Sequence, residues 1–558
     1  MGFDFLDWGF PKSGTDWKSI NGKPFINVSA KGRSNGLSTK INDGADFGPD
    51  TTLGATSPNQ TGPPYTQTTG INEAISYAGS QGLEKIVFGE GTFYTNYYIS
   101  NPYSNMVFEG QGIHKTILTN PSNTGWYPGL VGGDTTNIQV EGIDLIANAS
   151  TATNAVIGLG LSGNGNKHII YKSCYFSSPG AQVGFVTNGA LTGTTPYNDG
   201  TSTDMPYDIS FVDCIFDGKN PYTTSPNFGS IMGVDIKFIN CLFTSTEPLT
   251  QRNPVISYGL SRVNYDGPHY FIGCTFDNQQ IPLLIEQGYG VNVIECTFLE
   301  GAWIYSSANI DYSTYEAPDI GIKIIGNEFS GPNNSGFIAF SNVKGEQSVI
   351  ITGNHFINTD TSLSQQSPQC NPIGIDLYYT GPIIGIEITN NTFDNIGQAI
   401  WIDGNPTSIG QISHNIFNQS LSTSGTTSSA IFAHGATGNY IIKDNYNNYP
   451  SFIYGVNTGS GYYAIVESNF GEGLPFVPST PTVPASGTAQ QNTNQYAVNV
   501  YLYSGTVTEI QITKNGTAYT VFSNATGLAM SGQVYKLNPS DSITITYTTA
   551  PTWKWLSD

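Results

Sequence analysis

KIIGNEF, Lys323 to Phe329, has near-copies along the whole middle of the chain. FVDCIF (211–216), FINCLF (238–243), FIGCTF (271–276) and VIECTF (293–298) precede it, and ITGNHF (351–356), ITNNTF (388–393) and ISHNIF (412–417) follow. With the closing aromatic as marker, the phrase ends at Phe176, Phe216, Phe243, Phe276, Phe298, Phe329, Phe356, Phe393, Phe417 and, more weakly, Tyr446, at gaps of 22 to 40 residues. A fixed short phrase joined by segments of variable length is the pattern of a solenoid, one repeat per turn, with insertions expelled as loops. The segments alternate Ile, Val, Phe, Tyr and Thr with polar residues at period two and are broken by Gly and Asn, so the turns are built from strands.

A second strand lies midway through each repeat: AVIGLGL, NPVISYG, IPLLIEQ, GAWIYSS, SGFIAFS, IGIDLYY, QAIWIDG, SAIFAHG and SFIYGVN. Two or three strands per turn, stacked in parallel, make a parallel β-helix. Stacked strands lie about 4.8 Å apart, so a slot accepts only residues that stack on their own kind. The central slot of the phrase obeys this rule. Cys174, Cys214, Cys241, Cys274 and Cys296 hold it first, and Asn327, Asn354, Asn391, Asn415 and Asn445 afterwards. The Asn run predicts an amide ladder, and the Cys run predicts a drier turn.

The 558 residues carry a net charge of −21, with only 11% charged and 12% aromatic, a polar but foldable composition. No Lys/Arg cluster exists for phosphate contacts, so nucleic acid is not an expected partner. No apolar run reaches eighteen residues, and MGFDFLDWGFPKSG lacks a basic leader and an apolar core, so neither a membrane span nor a Sec-type signal is expected. Sparse charge among many uncharged polar side chains suits hot or acidic surroundings. Six Cys in so long a chain form no disulfide framework, and without a CxxC pair no metal site or cofactor is expected. Five of the six stand in the slot, which reads as a buried thiol column.

Ahead of the repeats, INEAISYAGS (71–80) has apolar residues at helical spacing and serves as a lid against edge pairing at the open end of the coil. NDGADFGPDTT, then GINEAISYA, then KIVFGEGTFYTNYYI resembles the opening of the pectate-lyase-like right-handed parallel β-helix family, which includes polysaccharide lyases, glycoside hydrolases and viral tailspikes. Residues 38 to 470 carry the resemblance, which implies an all-β solenoid and is closest in character to tailspike and fibre proteins of bacterial or archaeal viruses. Lyases of this fold use basic residues around Asp-held calcium; with only Arg33, Arg252 and Arg262 and no DxD cluster, the chain departs from that pattern. The expected organisation is a lead-in or anchoring segment (1–40), the coil's beginning with its capping helix (41–145), the repeats (146–470), a Pro-rich linker (471–486) and a small β-sandwich (487–558). The closing APTWKW resembles C-terminal modules of virion proteins.

If the midway strands stack in the register of their apolar alternation, two outward columns follow. One holds Ile256, Leu284, Ile304, Ile338, Asp376, Trp401 and Phe432; the other holds Tyr258, Glu286, Ser306, Phe340, Tyr378, Asp403 and His434. Aromatic planes beside carboxylates suit sugar rings and their hydroxyls, so Tyr258, Glu286, Phe340, Tyr378, Trp401, Phe432 and His434 are expected glycan contacts. The competing reading places these aromatics beneath a loop or a neighbouring subunit. Asp376 and Asp403 fall one turn (~4.8 Å) and two residues (~6.8 Å) apart, roughly 8 Å, the separation of an inverting glycosidase's acid and base. Glu328 above His355, with His414 nearby, forms a second and weaker constellation.

Two functions fit. The first is a virion spike or fibre at the virion surface, attached to other virion structural proteins. It would bind a host-surface polysaccharide or glycoprotein, with a homotrimer implied by the resemblance. The second is a polysaccharide depolymerase, a glycoside hydrolase acting through Asp376 and Asp403. The missing export signal favours the first.

Overall fold

The computed structural model describes residues 25–30, 45–120, 130–131, 135–146, 157–158, 166–177, 185–186, 207–217, 229–231, 234–244, 255–258, 268–277, 283–286, 290–307, 321–332, 336–341, 347–359, 365–366, 369–370, 373–378, 384–403, 410–418, 429–434, 439–449, 451–454, 463–471, 480–494 and 497–557. The chain divides into two compact units, Met1–Asp319 and Ile320–Asp558. Each holds turns of a coil whose strands line three walls. In the first unit the first wall runs from Ile26–Val28 to Val291–Ile294, the second from Gly91–Tyr94 to Thr297–Phe298, and the third from Ile157–Gly158 to Ile304–Ser307. In the second unit the corresponding walls run from Lys323–Ile325 to Tyr463–Glu467, from Glu328–Gly331 to Phe470–Gly471, and from Gly336–Ser341 to Ser451–Tyr454. Neighbouring strands of the walls pair in parallel, as in Ile209↔Ile236 and Phe356↔Phe393. The fold is a right-handed parallel β-helix. A short antiparallel pair, Gln365–Gln366 with Gln369–Cys370, sits within an insertion.

The corner between the first and second walls is made by one residue in the left-handed region, immediately before the slot. Ser173, Asp213, Asn240, Gly273 and Glu295 hold φ between 50° and 61°; Gly326, Gly353, Asn390, His414, Asp444 and Ser468 hold it between 55° and 69°. Gly, Asn and Asp tolerate that backbone best, which is why they dominate the position. The corner turns the slot side chain inward, and Cys and Asn are then buried alike, at 0–1% exposure.

The slot chemistry differs between the two runs. Asn354 Oδ1 accepts both the backbone N–H and the Nδ2–H of Asn327, each at 2.9 Å, while its own Nδ2 donates to the Ile324 carbonyl at 2.9 Å. Asn391, Asn415 and Asn445 repeat the pattern, and Asn469 ends it. In the other unit Cys214 Sγ donates to the Tyr171 carbonyl at 3.4 Å, and Cys274 Sγ donates to the Phe238 carbonyl at 3.3 Å. Tyr171 and Ile324 stand three residues before their slots. The two residue types therefore share one contact, donation to a carbonyl of the preceding turn, while acceptance of a slot N–H belongs to the Asn run. Burial pushes the thiols of Cys174, Cys241 and Cys296 well above the ordinary thiol range. It opposes ionisation of Cys214 and Cys274 too; hydrogen bonds from flanking groups pull these two down, but no cation neighbours a thiolate there, so we take the whole column as neutral.

The phrase's Phe follows two residues later and stacks. Phe176, Phe216, Phe243, Phe276 and Phe298 succeed one another at centroid distances of 4.5–4.9 Å and interplanar angles of 6–12°. Phe329, Phe356, Phe393 and Phe417 do so at 4.7–5.3 Å. These distances match the strand spacing, so the stack is a consequence of register.

The expected capping helix spans Ile71–Gln81 and buries Ile71, Glu73, Ala74, Ile75 and Ala78. It starts at Gly70, φ 77°, where a Cβ would lie 2.8 Å from the Gly48 backbone nitrogen, so only glycine fits. Glu73, in the first turn, accepts a 2.6 Å hydrogen bond from Thr66 Oγ1 and suits the positive helix end. Ile26–Val28, inside the segment read as a lead-in, pairs with Lys85–Phe88 as the first rung of the first wall.

The C-terminal domain is one antiparallel five-stranded sheet: Ala489–Gln491, Val498–Lys514, Thr517–Leu537, Ser542–Thr549 and Thr552–Ser557. Val498–Lys514 pairs along its first half with Thr552–Ser557 and along its second with Ser542–Thr549, and both halves feed one core around Leu502, Ile510, Trp553 and Trp555. The second part of the Pro-rich stretch belongs to this domain. Trp553 Nε1 donates to the Pro481 carbonyl at 2.6 Å, Tyr547 Oη donates to the Pro484 carbonyl at 2.8 Å, and Val483 packs on the core.

Two outcomes follow. Asn391→Ala strands the Asn354 N–H and the Ile351 carbonyl in the interior, at about 1–3 kcal/mol per buried group; Asn391→Cys, which restores an acceptor and a donor, should lower the melting temperature less than Asn391→Ala. A fragment beginning at residue 480 should fold alone and melt at a higher temperature than one beginning at 487, by circular dichroism.

Candidate functional site

The third wall is where the sequence placed chemistry. In the second unit the register sets Ala339, Asp376, Trp401, Phe432 and Tyr454 side by side, and Ser341, Tyr378, Asp403 and His434 in a neighbouring column. The alternate positions Ile375, Leu377, Ile400, Ile402 and Ile431 are interior, so Asp376, Trp401 and Phe432 leave the wall on its outer side. Asp376 is partly exposed with one carboxylate oxygen buried. Trp401 and Phe432 are each only 6% exposed and cluster with Ile373, their rings 4.5 Å apart at 44°. Trp401 Nε1 is buried and has no hydrogen-bond partner among the described residues. These two aromatics are therefore nearly buried.

Asp376 lies opposite Trp401, and Asp403 opposite Tyr378. The two aspartates therefore occupy adjacent turns offset by two residues, with the ~8 Å separation that this geometry gives. Of the side chains of Tyr378, Asp403 and His434 nothing further is described.

Phe340 is an interior residue. It pairs with Leu377, and both are 0% exposed, so it leaves the set of glycan contacts. Ile338 is interior for the same reason. In the first unit Tyr258 lies opposite Glu286 and Ile256 opposite Leu284, as expected. The next turn is shifted by one residue. Ile304 pairs with Leu283 and Ser306 with Ile285, all four interior, and the outward neighbour of Leu284 is Tyr305. Tyr305 and Trp303 are both partly exposed, with ring centroids 5.3 Å apart at 52°. This outward aromatic pair, one turn from Glu286, was missed. The WIY triplet of GAWIYSS was the available signal, read one residue out of phase.

The remaining polar chemistry consists of links between turns. Glu328 and His355 are in register, but His355 Nε2 bonds Asp394 Oδ2 at 2.5 Å, and Asn418 Nδ2 donates to the other oxygen at 2.9 Å. His414 lies 3.7 Å from Asp444. In the first unit His114 Nδ1 meets Asp144 Oδ2 at 2.8 Å and His168 Nδ1 meets Asp208 Oδ2 at 2.7 Å; Lys237 joins Asp208 and Asp235 at 2.9 and 2.7 Å. Burial raises the Asp144 carboxyl, and its bonds from His114 offset part of that rise. His269 is buried in the first wall. No group of three or more His, Cys, Asp or Glu placed to hold a metal occurs among the described residues. No helix there is long and apolar enough to cross a membrane.

No protein-family model matches the chain, and no curated protein matches it. Solved structures do. A mutant tailspike protein of E. coli bacteriophage HK620, in complex with a pentasaccharide, superposes with a TM-score of 0.50 at 12% identity, over 89% of this chain and 93% of that one. Another mutant of that tailspike gives a TM-score of 0.48 at 14% identity, over 89% and 93%. The same tailspike without a stated mutation, also in complex with the pentasaccharide, gives 0.43 at 14% identity over the same shares. At such identity the likeness establishes the fold, a tailspike-like parallel β-helix.

The placement of Phe340 is open to a direct check. Phe340→Ala should cost about 3–5 kcal/mol of stability through the cavity it leaves, read as a lowered melting temperature, while oligosaccharide affinity at temperatures below the melt stays unchanged.

Proposed function

We propose that the protein is a virion spike that attaches its particle to a glycan on the host surface, as a homotrimer displayed on the virion with other structural proteins. The β-helix serves as a rigid shaft, and its sparse charge suits a hot or acidic habitat. The observation that carries the reading is the Trp303–Tyr305 pair, whose partly exposed rings stand on the outer side of the third wall. Two tilted aromatic faces side by side offer apolar planes to the C–H faces of sugar rings. Glu286 and Tyr258 stand in register with each other on the two preceding turns of the same wall. Support comes also from the fold, shared with a mutant tailspike solved in complex with a pentasaccharide.

The second reading, glycoside hydrolysis, rests on the register of Asp376 and Asp403, with Tyr378, Trp401, Phe432 and His434 around them. Their ~8 Å separation leaves room for a water between acid and base. The covering of Trp401 and Phe432 ranks this reading below attachment, since a substrate must first reach the aspartates.

The test pairs binding with cleavage on candidate host-surface polysaccharides. Binding without new reducing ends is the expected result for a spike, and Trp303→Ala and Tyr305→Ala should each weaken binding about tenfold, since aromatic contacts contribute on the order of 1 kcal/mol or more. Unchanged affinity in both variants would move the glycan site elsewhere. If reducing ends accumulate, Asp376→Asn and Asp403→Asn should each abolish their release while leaving the melting temperature within a few degrees; retained cleavage in both would remove the pair from the chemistry.

A further inference from the structure

We infer that the capping end of the coil carries a second carbohydrate site, built on Tyr94, Tyr97 and Tyr98 and suited to an uncharged sugar chain. The inference goes beyond the glycan contacts proposed above: it uses no residue of the third wall, and either site can fail alone. The segment follows Gly91–Tyr94, the first strand of the second wall. Its backbone is held along its whole length. Thr95 and Ile99 are buried, and Thr95 donates its N–H to the Thr119 carbonyl at 2.9 Å. Thr69 Oγ1 donates to the Tyr94 carbonyl at 2.6 Å, and the Asn96 N–H donates to the Gln67 carbonyl at 2.8 Å. Asn72, in the first turn of the capping helix, binds on both sides of Ile99: its Nδ2 donates to the Tyr98 carbonyl at 3.1 Å, and its Oδ1 accepts the Ser100 N–H at 2.9 Å.

The aromatic side chains on this fixed backbone are left to solvent. Tyr94, Tyr97 and Tyr98 are 59%, 40% and 39% exposed. Phe93, Thr95 and Ile99 do the interior packing, so the fold does not call for these three rings, and exposed rings gathered in five residues mark a contact surface. The rings of Tyr97 and Tyr98 lie 4.4 Å apart at 35°, and a side-chain hydrogen bond between the two residues holds the Tyr97 hydroxyl above the ordinary tyrosine range. Each ring limits the other's rotamers, so a ligand meets planes that are already ordered.

Charge and neighbouring groups select the ligand. Residues 66–72 and 94–100 are joined by the bonds above, and neither 51–72 nor 91–108 contains an Asp, Glu, Lys or Arg. The next carboxylate along the chain, Glu73, is buried and bonded to Thr66 Oγ1. An anionic sugar or acidic peptide finds no cation here, and a basic peptide finds no exposed carboxylate. A protein interface also centres on an apolar core, whereas the one aliphatic side chain of 94–100, Ile99, is already buried. What remains on the surface suits a neutral sugar: ring faces for its C–H faces, and the tyrosine hydroxyls with exposed Asn96 and Ser100 for its hydroxyls.

The test offers the full chain an array of neutral gluco-, galacto- and manno-oligosaccharides with uronate-bearing ones alongside, then measures the affinity of the strongest neutral binder by calorimetry. The double variant Tyr97→Ala, Tyr98→Ala should weaken that binding roughly tenfold or more, with a melting temperature within a few degrees of the unsubstituted chain. Tyr97→Phe, Tyr98→Phe keeps the planes and should retain most of the affinity. In the unsubstituted chain the bound sugar should slow amide exchange over residues 94–100. Undiminished affinity in a folded double Ala variant, or a double Ala variant that loses only uronate binding, would overturn the site. If affinity holds there but falls in Trp303→Ala, the third wall is the binding surface and only this inference is lost. A chain that binds no member of the array removes this site and counts against the attachment reading too. If the double Ala variant does not fold, as read by circular dichroism, the exchange footprint decides: slowing over 94–100 supports the site, and a footprint confined elsewhere overturns it.

Discussion

The described turns with corners from Ser173 to Ser468 pass through one kind of corner. A residue with left-handed backbone bends the chain, and the side chain after it is carried inside, where in the Asn run it accepts the N–H of the slot one turn back and donates to a carbonyl of that turn. An unpaired slot N–H would sit in a dry interior at a cost of about 1–3 kcal/mol per group. Repeated along the coil, that penalty admits few side chains. Asn accepts and donates with its amide, Cys donates its thiol to a carbonyl of the preceding turn, and the phenylalanines that follow are aligned because the slots beneath them are.

That constraint explains how much of the fold was legible. The phrase, its stacking Phe, the capping helix and the antiparallel C-terminal domain all carry local signals strong enough to read directly. The corner residue was present in every phrase as Gly, Asn, Asp, Ser, Glu or His, a set united by tolerance of positive φ or by side chains that bond locally, but varied enough to pass as filler. The equivalence of Cys and Asn was hidden for another reason. Their polarity differs, and only the positions of the neighbouring carbonyls reveal that a thiol can do the work of an amide there. The Pro-rich stretch likewise reads as a spacer in sequence, whereas its residues from Thr480 onward bond to Trp553, Trp555 and Tyr547.

The outer wall was legible only where a polar residue fixes the phase. Asp376 in IGIDLYY and Asp403 in QAIWIDG set the phase, and from Asp376 and Tyr378 onward the columns match the observed register. SGFIAFS offers no such mark: Phe337, Ile338, Ala339 and Phe340 are all buried, so alternation cannot tell one face from the other. The same one-residue slip exchanged Ile304 for Tyr305. A glycan surface read from a solenoid sequence thus rests on a few phase-setting residues, and the aromatic pair at Trp303 and Tyr305 emerged only when backbone pairing supplied the phase.

Amide hydrogen exchange at the slots tests the shared role of Cys and Asn most directly. The backbone amides of Cys174 and Cys241, buried in the same slot, should exchange as slowly as those of Asn327, Asn354 and Asn391, which bond the next turn's amide oxygen. Protection along the Asn run combined with rapid exchange along the Cys run would contradict a common corner, and with it the account of why one phrase builds the whole coil.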